Sequence, residues 1–279
     1  MDEIKTNILS FGELPSQPIV LQKLHQMINS QDTSSHNVAK VIETDQGFTA
    51  RVLRLVNSPF FGFTRKIASV QEAITMIGFN SVHQLLLATS LMGAFKIDQD
   101  IFDIGSFWQH CFAVGVISKH IATKSFSNIK EESFVSGVLH DVGRLLIINA
   151  DVQRYKQFIN NHTGVISLEA EEEVFGINHQ NAGQLLAEHW HFPDSIKSGI
   201  GFHHTPEKDP NNSETTGVVH VADITVHALD LGDSGNFYVN HFCPNSWAKL
   251  NLTMDDFEEL LENALLEIDE TRQIIKSFG

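Results

Sequence analysis

Apolar residues recur with the period of an α-helix along almost the whole of this 279-residue chain. Near the start, for example, Leu21, Leu24 and Ile28 are spaced to fall on one face of a helix. No segment shows a convincing alternation of apolar and polar residues of the kind that strands show, and no internal repeat is visible. Such a chain buries its apolar stripes by packing helix against helix, so the sequence predicts an all-α protein.

The character of the chain changes near residue 96, and twelve of its fifteen histidines lie beyond that point. A length of 279 residues is enough for one large domain or two smaller ones. We therefore predict two lobes. One is an N-terminal helical lobe over residues 1–96, and the other is a helical bundle with a C-terminal helix over residues 97–279.

The charge balance argues against several classes of partner. The formal net charge is −15, from 34 Asp and Glu against 19 Lys and Arg, and no basic cluster reverses it locally. Such a surface repels phosphodiester backbones and anionic membranes, so direct binding to nucleic acid or to a membrane is not expected. The two cysteines are far apart, no apolar run approaches ~20 residues, and the first residues lack the pattern of a signal peptide. These features predict a cytoplasmic protein.

An adjacent histidine and aspartate, His140 and Asp141, lie in the middle of the apolar run 135–147. The segment 131–149 has a helical pattern, and an isolated carboxylate buried in such a helix would be costly. A divalent cation would offset that cost, because imidazole nitrogen and carboxylate oxygen are common ligands of borderline metals. Hydrogen bonds to a neighbouring helix would also satisfy the pair, so a metal site and a structural pair both remain open.

Two further residues favour the metal hypothesis. His110 lies among apolar and aromatic residues on a helix expected to run antiparallel to 131–149, and Asp223 is a lone acid in an apolar helix. With His140 and Asp141 they would form a compact set of two histidines and two carboxylates.

A second group of histidines could hold a second ion. His179 lies at the start of a predicted helix, and the doublet His203 and His204 lies at the end of another. With Asp141 as a bridging ligand, these residues would complete a two-metal site, an arrangement that suits the hydrolysis of phosphate esters.

Arg144 follows Asp141 by three residues and therefore shares its helix face. Its planar guanidinium could bind a substrate phosphate, or it could simply pair with Asp141 or another acid. In a catalytic site, Asp141 and Arg144 would be the working residues. His220, three residues before Asp223, could orient that acid. His227 has no obvious partner, and the acidic run 169–173 is expected to be a solvated helix face.

The ordered string of motifs closely resembles the HDOD domain. It begins with 14-LPSQPIVLQKL-24 and continues through the segment 41–88, which contains RVLRLVNSPFFG and SVQEAI. It goes on through FWQHC at 107–111, GVLHDVGRLL at 137–146 and GINHQNAGQLLAEHW at 176–190. The resemblance covers roughly residues 12–230 and leaves the last helical segment outside.

HDOD domains are similar to the HD superfamily of metal-dependent phosphohydrolases, which includes the HD-GYP cyclic-di-GMP phosphodiesterases. The resemblance implies an all-α fold, with an HD-domain-like C-terminal helical bundle, and one or two divalent transition-metal ions such as Fe, Mn, Zn or Ni. It places the metal ligands at His110, His140, Asp141, His179, His203, His204 and Asp223.

The chain also departs from the HD-GYP pattern. No GYP signature follows the histidine doublet, Ser106 stands where a Glu ligand is common, and Arg144 replaces a lysine. The resemblance therefore implies a bacterial signalling or regulatory module with protein partners. The alternative is an active metal-dependent phosphohydrolase, a phosphodiesterase acting on a nucleotide or cyclic dinucleotide. In that case Asp141 would hold the ions and Arg144 would steady the phosphate.

Overall fold

A computed structural model of the chain describes residues 6, 8, 18–28, 34–57, 61, 63–95, 97–161, 166–235 and 241–275. Every regular element among these residues is helical, which confirms the predicted all-α class. Parts of the sequence resemblance, including the LP pair at 14–15 and residues 58–60 of RVLRLVNSPFFG, lie outside the described residues.

In the N-terminal part, the described residues include five helices with defined bounds. They are α1 (Ile19–Ile28), α2 (Ser35–Glu43), α3 (Gln46–Val56), α4 (Val70–Ile77) and α5 (Phe79–Met92). Side chains cap the starts of three of them, because Ser34, Asp45 and Ser69 each accept a hydrogen bond from a backbone N–H three residues ahead. The first four helices are amphipathic. Helices α1, α3 and α4 pack against α5, which is buried along most of its length, and α2 packs against α1, α3 and α4.

Ten helices follow. They are α6 (Ile104–Ser125), α7 (Lys130–Leu139), α8 (Val142–Ala150), α9 (Val152–Asn161), α10 (Leu168–Phe175), α11 (His179–His189), α12 (Asp194–Phe202), α13 (Glu214–Ala228), α14 (Pro244–Leu250) and α15 (Met254–Ile275). Helix α6 is central, because α7, α13 and α15 all pack against it. Helix α12 packs against α7, α11 and α13, so this part of the chain is a bundle around α6.

The expectation of one continuous helix over 131–149 is wrong at its centre. Helix α7 ends at Leu139 and α8 begins at Val142, with Asp141 at φ −99° and ψ 6° between them. Neighbouring side chains in an unbroken helix point about 100° apart. The turn at His140 and Asp141 instead lets both side chains face the same centre.

Glycines set the approach of two helix pairs in the bundle. A Cβ on Gly137 of α7 would lie 2.7 Å from the Cα of Gly115 on α6, so the two backbones touch directly. A Cβ on Gly143 of α8 would collide with the carbonyl oxygen of His179 at the start of α11. Side chains larger than hydrogen at these positions would push the helices apart.

The buried apolar residues form one continuous core that runs through both parts of the chain, and α5 packs against α7 where the parts meet. The division near residue 96 therefore remains a prediction. Among the described helices, none combines the length and the apolar character needed to cross a membrane.

Candidate metal centre

The seven residues predicted as ligands meet at one buried place inside the bundle. Six of them are no more than 1% exposed, and His204 is only slightly more open. Five parts of the fold supply them: His110 comes from α6, His140 and Asp141 from the α7–α8 turn, His179 from the first residue of α11, His203 and His204 from the end of α12, and Asp223 from α13.

Asp141 lies at one side of this cluster. Its Oδ1 is 3.2 Å from Nε2 of His179 and 3.6 Å from Nε2 of His203. Its Oδ2 is 3.1 Å from Nε of Arg144, which forms an ion pair with it. Asp141, His179, His203 and His204 each offer a ligand atom within 4.8 Å of the others, so these residues can hold one cation together.

Asp223 lies at the other side. Its Oδ1 is 3.3 Å from Nε2 of His110 and 3.5 Å from Nε2 of His140, and its Oδ2 is 3.6 Å from Nδ1 of His204. Nε2 of His140 is also 3.5 Å from Oδ2 of Asp141, so this imidazole lies between the two carboxylates. The cluster is therefore a single centre with one carboxylate on each side.

The imidazole nitrogens and carboxylate oxygens that face the centre are arranged to bind a cation, not to hydrogen-bond to one another. Nε2 of His110, His140, His179 and His203 is buried without a hydrogen-bond partner, and so are Oδ1 of Asp141 and both carboxylate oxygens of Asp223. Buried polar atoms are normally paired, and each exception needs an explanation. Ligand atoms around a tetrahedral ion with metal–nitrogen distances near 2.0 Å are about 3.3 Å apart, close to the separations seen here. The donor set therefore fits a divalent transition metal.

Hydrogen bonds on the far side of three rings orient them for this task. Nδ1 of His140 donates to the carbonyl of Gly137 at 2.7 Å, and Nδ1 of His203 donates to that of Ile200 at 2.9 Å. Nδ1 of His179 donates to a carboxylate oxygen of Glu171 at 2.6 Å. Each bond places the proton on Nδ1 and leaves the Nε2 lone pair facing the centre, as metal-binding histidines require.

Glu171 corrects the expectation that the run 169–173 is wholly solvated. Its side chain is 2% exposed, and its Oε1 is 3.1 Å from Nη1 of Arg144. Its Oε2 accepts both the backbone N–H and the Nδ1–H of His179. Glu171 thus links Arg144 to His179 behind Asp141. Its neighbours Glu172 and Glu173 are exposed, as predicted for the run.

Arg144 itself is 1% exposed, and its guanidinium lies against the carboxylates of Asp141 and Glu171. This contact favours the structural interpretation of Arg144 over direct binding of a phosphate.

The protonation states in the centre suit metal binding. Burial alone would raise the pKa of Asp141, but Arg144, His140 and His179 hold it well below the usual range. Burial likewise opposes ionisation of Asp223, yet the adjacent imidazoles of His110 and His140 hold its pKa well below the usual range. Burial lowers the pKa of His203 to about 4 and also lowers the pKa of His110 and His204. Burial opposes the charged form of His140 too, but Asp141 and Asp223 raise its pKa above the ordinary value, so a metal would compete with a proton at this ring.

Two other histidines differ from expectation. The Nδ1 of His220 donates to the carbonyl of His203 at 2.7 Å, and its Nε2 accepts the backbone N–H of Cys243. His220 therefore braces the loop after α12, and both of its ring nitrogens bond to groups other than Asp223, the acid that it could have oriented. His227 does have a partner, because its Nε2 is 3.4 Å from Oδ1 of Asp223. The spacing of four residues on α13 was the signal that could have revealed it.

A family model and known relatives match this chain. The HDOD domain model matches residues 14–206. An uncharacterised protein of Treponema pallidum is 23% identical over an alignment of 230 residues, and the match covers 78% of this chain and 43% of the relative. The chain thus spans less than half the length of that relative.

Two solved structures share the fold. The HDOD domain protein of Geobacter sulfurreducens has a TM-score of 0.73 and 23% identity, with 99% of each chain covered. A Shewanella amazonensis protein named "Putative phosphohydrolase" has a TM-score of 0.76 and 24% identity, with 99% of this chain and 98% of that chain covered. At this identity the likeness establishes the helical architecture alone. The family match covers well over half of the sequence and agrees with the motifs around His140 and Asp141, so the chain belongs to the HDOD domain family.

Proposed function

We propose that this chain is a metal-binding regulatory module of the HDOD family. The observation that carries the proposal is the set of buried nitrogen and oxygen atoms that face one another without hydrogen-bond partners. A fold that buries two ionised carboxylates beside lone pairs of histidine gains from a cation at their centre.

The ligands of this centre are the seven predicted residues. Donors on the Asp141 side are Asp141, His179, His203 and His204, and donors on the Asp223 side are Asp223 and His110, with His140 between them. A mixed set of imidazole and carboxylate ligands suits Fe, Mn, Zn or Ni, in one or two ions. Arg144 and Glu171 position Asp141 and His179 and do not themselves reach the ions.

Burial supports a regulatory role over catalysis. The ligand atoms lie inside the bundle, and a nucleotide could reach them only after a helix or loop moved aside. A closed metal site of this kind stabilises the fold or senses the metal, whereas a catalytic metal site keeps an open coordination position for substrate. A regulatory module of this kind would act through protein partners, and the packing of α5 against α7 joins the two predicted lobes, residues 1–96 and 97–279.

A second candidate is a metal-dependent phosphodiesterase acting on a nucleotide or cyclic dinucleotide. Its support is the pair of carboxylates at opposite sides of one centre, an arrangement able to hold two ions. The name of the Shewanella amazonensis protein points the same way for that protein. When bound, such ions act as Lewis acids on phosphoryl oxygens. Asp141 would hold the ions, and Arg144 would keep Asp141 ionised.

Elemental analysis tests the metal site. Purified wild-type protein is expected to carry Fe, Mn, Zn or Ni, and a His140→Ala, Asp141→Ala double variant is expected to carry almost none. His120→Gln is the matched control, because His120 pairs with Glu267 away from the centre. Equal metal content in the wild type and the double variant would refute the proposal.

Turnover separates the two candidate functions. Metal-loaded protein is incubated with nucleotides, cyclic dinucleotides and a chromogenic phosphodiester. The regulatory proposal predicts no product above that of the double variant. Metal-dependent product that the double variant does not form would establish the phosphodiesterase instead.

A further inference from the structure

We propose that His227 is a metal ligand and that, with His110 and Asp223, it binds a cation separate from the one held on the Asp141 side. This inference rests on the proposed metal centre and adds to it a residue outside the predicted ligand set.

The three donor atoms converge from two helices. Oδ1 of Asp223 is 3.3 Å from Nε2 of His110 and 3.4 Å from Nε2 of His227. Asp223 and His227 are four residues apart on α13, so both face α6, and the rings of His110 and His227 lie 4.6 Å apart between centroids. All three ligand atoms lie within 4.8 Å of one another.

These separations suit shared coordination. Two ligand atoms on one tetrahedral ion are about 3.3 Å apart, and the contacts of Asp223 Oδ1 with both histidines are close to that value. Both Nε2 of His110 and Oδ1 of Asp223 are buried without hydrogen-bond partners. Direct bonding between the residues therefore does not explain why the fold brings these atoms together.

The charge around Asp223 also calls for a cation. Asp141 has the permanent positive charge of Arg144 beside it. In the part of the chain that the structure describes, every ion-pair partner of Asp223 is a histidine, namely His110, His140, His204 and His227. An imidazole balances a carboxylate only when it carries a proton, and that proton occupies the nitrogen. A bound divalent ion balances the carboxylate and uses the same nitrogen atoms as ligands.

A loop after α13 holds this group in place. Gly232, at φ +80°, lies so close to the backbone of His110 that a Cβ there would clash with it, and Asp233 N–H donates to the carbonyl of Ser106. Ser234 is buried in the same loop, and its Oγ is 3.4 Å from Nε2 of His227. Nε2 of His227 could therefore bond to the Ser234 hydroxyl instead of a metal, so a test must separate these two roles of His227.

A cobalt titration tests the proposal on the full chain. Metal-free wild type, His227→Gln, Ser234→Ala and His120→Gln are titrated with Co²⁺, and binding is followed by visible absorption and by dialysis against free metal. Wild type, Ser234→Ala and His120→Gln are expected to bind about two ions per chain, whereas His227→Gln binds about one. The remaining ion in His227→Gln is expected to keep its affinity within about twofold, because its ligands on the Asp141 side are untouched.

The outcomes distinguish this inference from the proposed function. Wild type that binds no cobalt would refute both. Wild type and His227→Gln with the same stoichiometry and affinities would refute the role of His227 and leave the metal centre intact. Should His227→Gln fail to fold, crystals of Zn²⁺-loaded wild type decide the matter by anomalous scattering. A peak at about 2.0–2.1 Å from Nε2 of His227 supports the proposal, and a peak only on the Asp141 side overturns it.

Discussion

The two buried aspartates share one centre, but the protein balances their charges by different means. Asp141 is paired with Arg144, which also pairs with Glu171, so its charge is balanced by a side chain that is permanently positive. Asp223 is surrounded by imidazoles, which are positive only when protonated. The fold itself therefore balances the charge of Asp141, whereas the charge of Asp223 is balanced only by protonated histidines or by a bound ion.

The largest effect is expected from Arg144→Met. This change leaves Asp141 and Glu171 buried without their cation, and removing one partner of a buried ion pair costs about 3–5 kcal/mol. Urea denaturation of the metal-free protein measures the loss. Lys124→Met, which breaks only exposed ion pairs with Asp256 and Glu259, is the control and should leave the midpoint unchanged. If Arg144→Met lowered the midpoint as little as Lys124→Met does, Asp141 would not depend on Arg144, and the contrast between Asp141 and Asp223 would be lost.

Acid should destabilise the metal-free protein through His203. Its pKa is about 4 in the fold because burial opposes its charged form, whereas the unfolded chain takes up the proton near pH 6.5. Between these values the unfolded state binds more protons, so stability falls as pH decreases from 6.5 to 4, by about 2–3 kcal/mol from this group. The free energy of unfolding measured against pH should show a shallower slope in His203→Gln. Parallel curves for the two proteins would contradict this.

Glu171→Gln should weaken metal binding on the Asp141 side. The amide keeps the size of the side chain but cannot accept from both the backbone and the ring of His179 while also pairing with Arg144. Loss of a residue that orients a ligand typically lowers metal affinity 10–100-fold. Competition with a chromophoric chelator measures the change. Glu172→Gln, on the exposed neighbour, is the matched control and should bind like wild type.

The smallest stability effect is expected from Asp223→Asn in the metal-free protein. The change removes a buried carboxylate whose ion-pair partners are imidazoles and not a permanent cation, so the loss should be smaller than the loss caused by Arg144→Met. Asp141→Asn should cost more, because Arg144 then loses one of its two carboxylates. Thermal melts of both variants without metal give the comparison. Added Zn²⁺ should raise the melting temperature of wild type but raise that of Asp223→Asn much less.

The sequence predicted most of the fold because helical periodicity and caps are local properties. Ser69 caps α4 by accepting a hydrogen bond from the backbone N–H of Glu72, and Gly78 ends that helix. The break at His140 and Asp141 was missed, because the apolar pattern on either side continues without interruption. Helix α14 was missed as well, since seven residues carry too little periodicity to be recognised.

The seven predicted site residues could be identified from the sequence because a histidine or a carboxylate in an apolar segment is conspicuous. Glu171 was not, because the run 169–173 has five consecutive residues of which four are acidic, and its burial is decided by Arg144 and His179 on other helices. His227 lies near a helix end, where a histidine is ordinary. Its significance depends on His110, which is distant in sequence and adjacent only in the fold.

The contact between Gly143 and His179 has a consequence for how fast an ion can leave. The backbone of α8 rests directly on the carbonyl of His179, and Arg144 and Glu171 hold the side chains of Asp141 and His179 from behind. Release of an ion from between them requires these contacts to break or α8 and α11 to move apart, and collective movements of packed helices take microseconds to milliseconds or longer. Metal on the Asp141 side should therefore exchange slowly, even where its equilibrium affinity is modest.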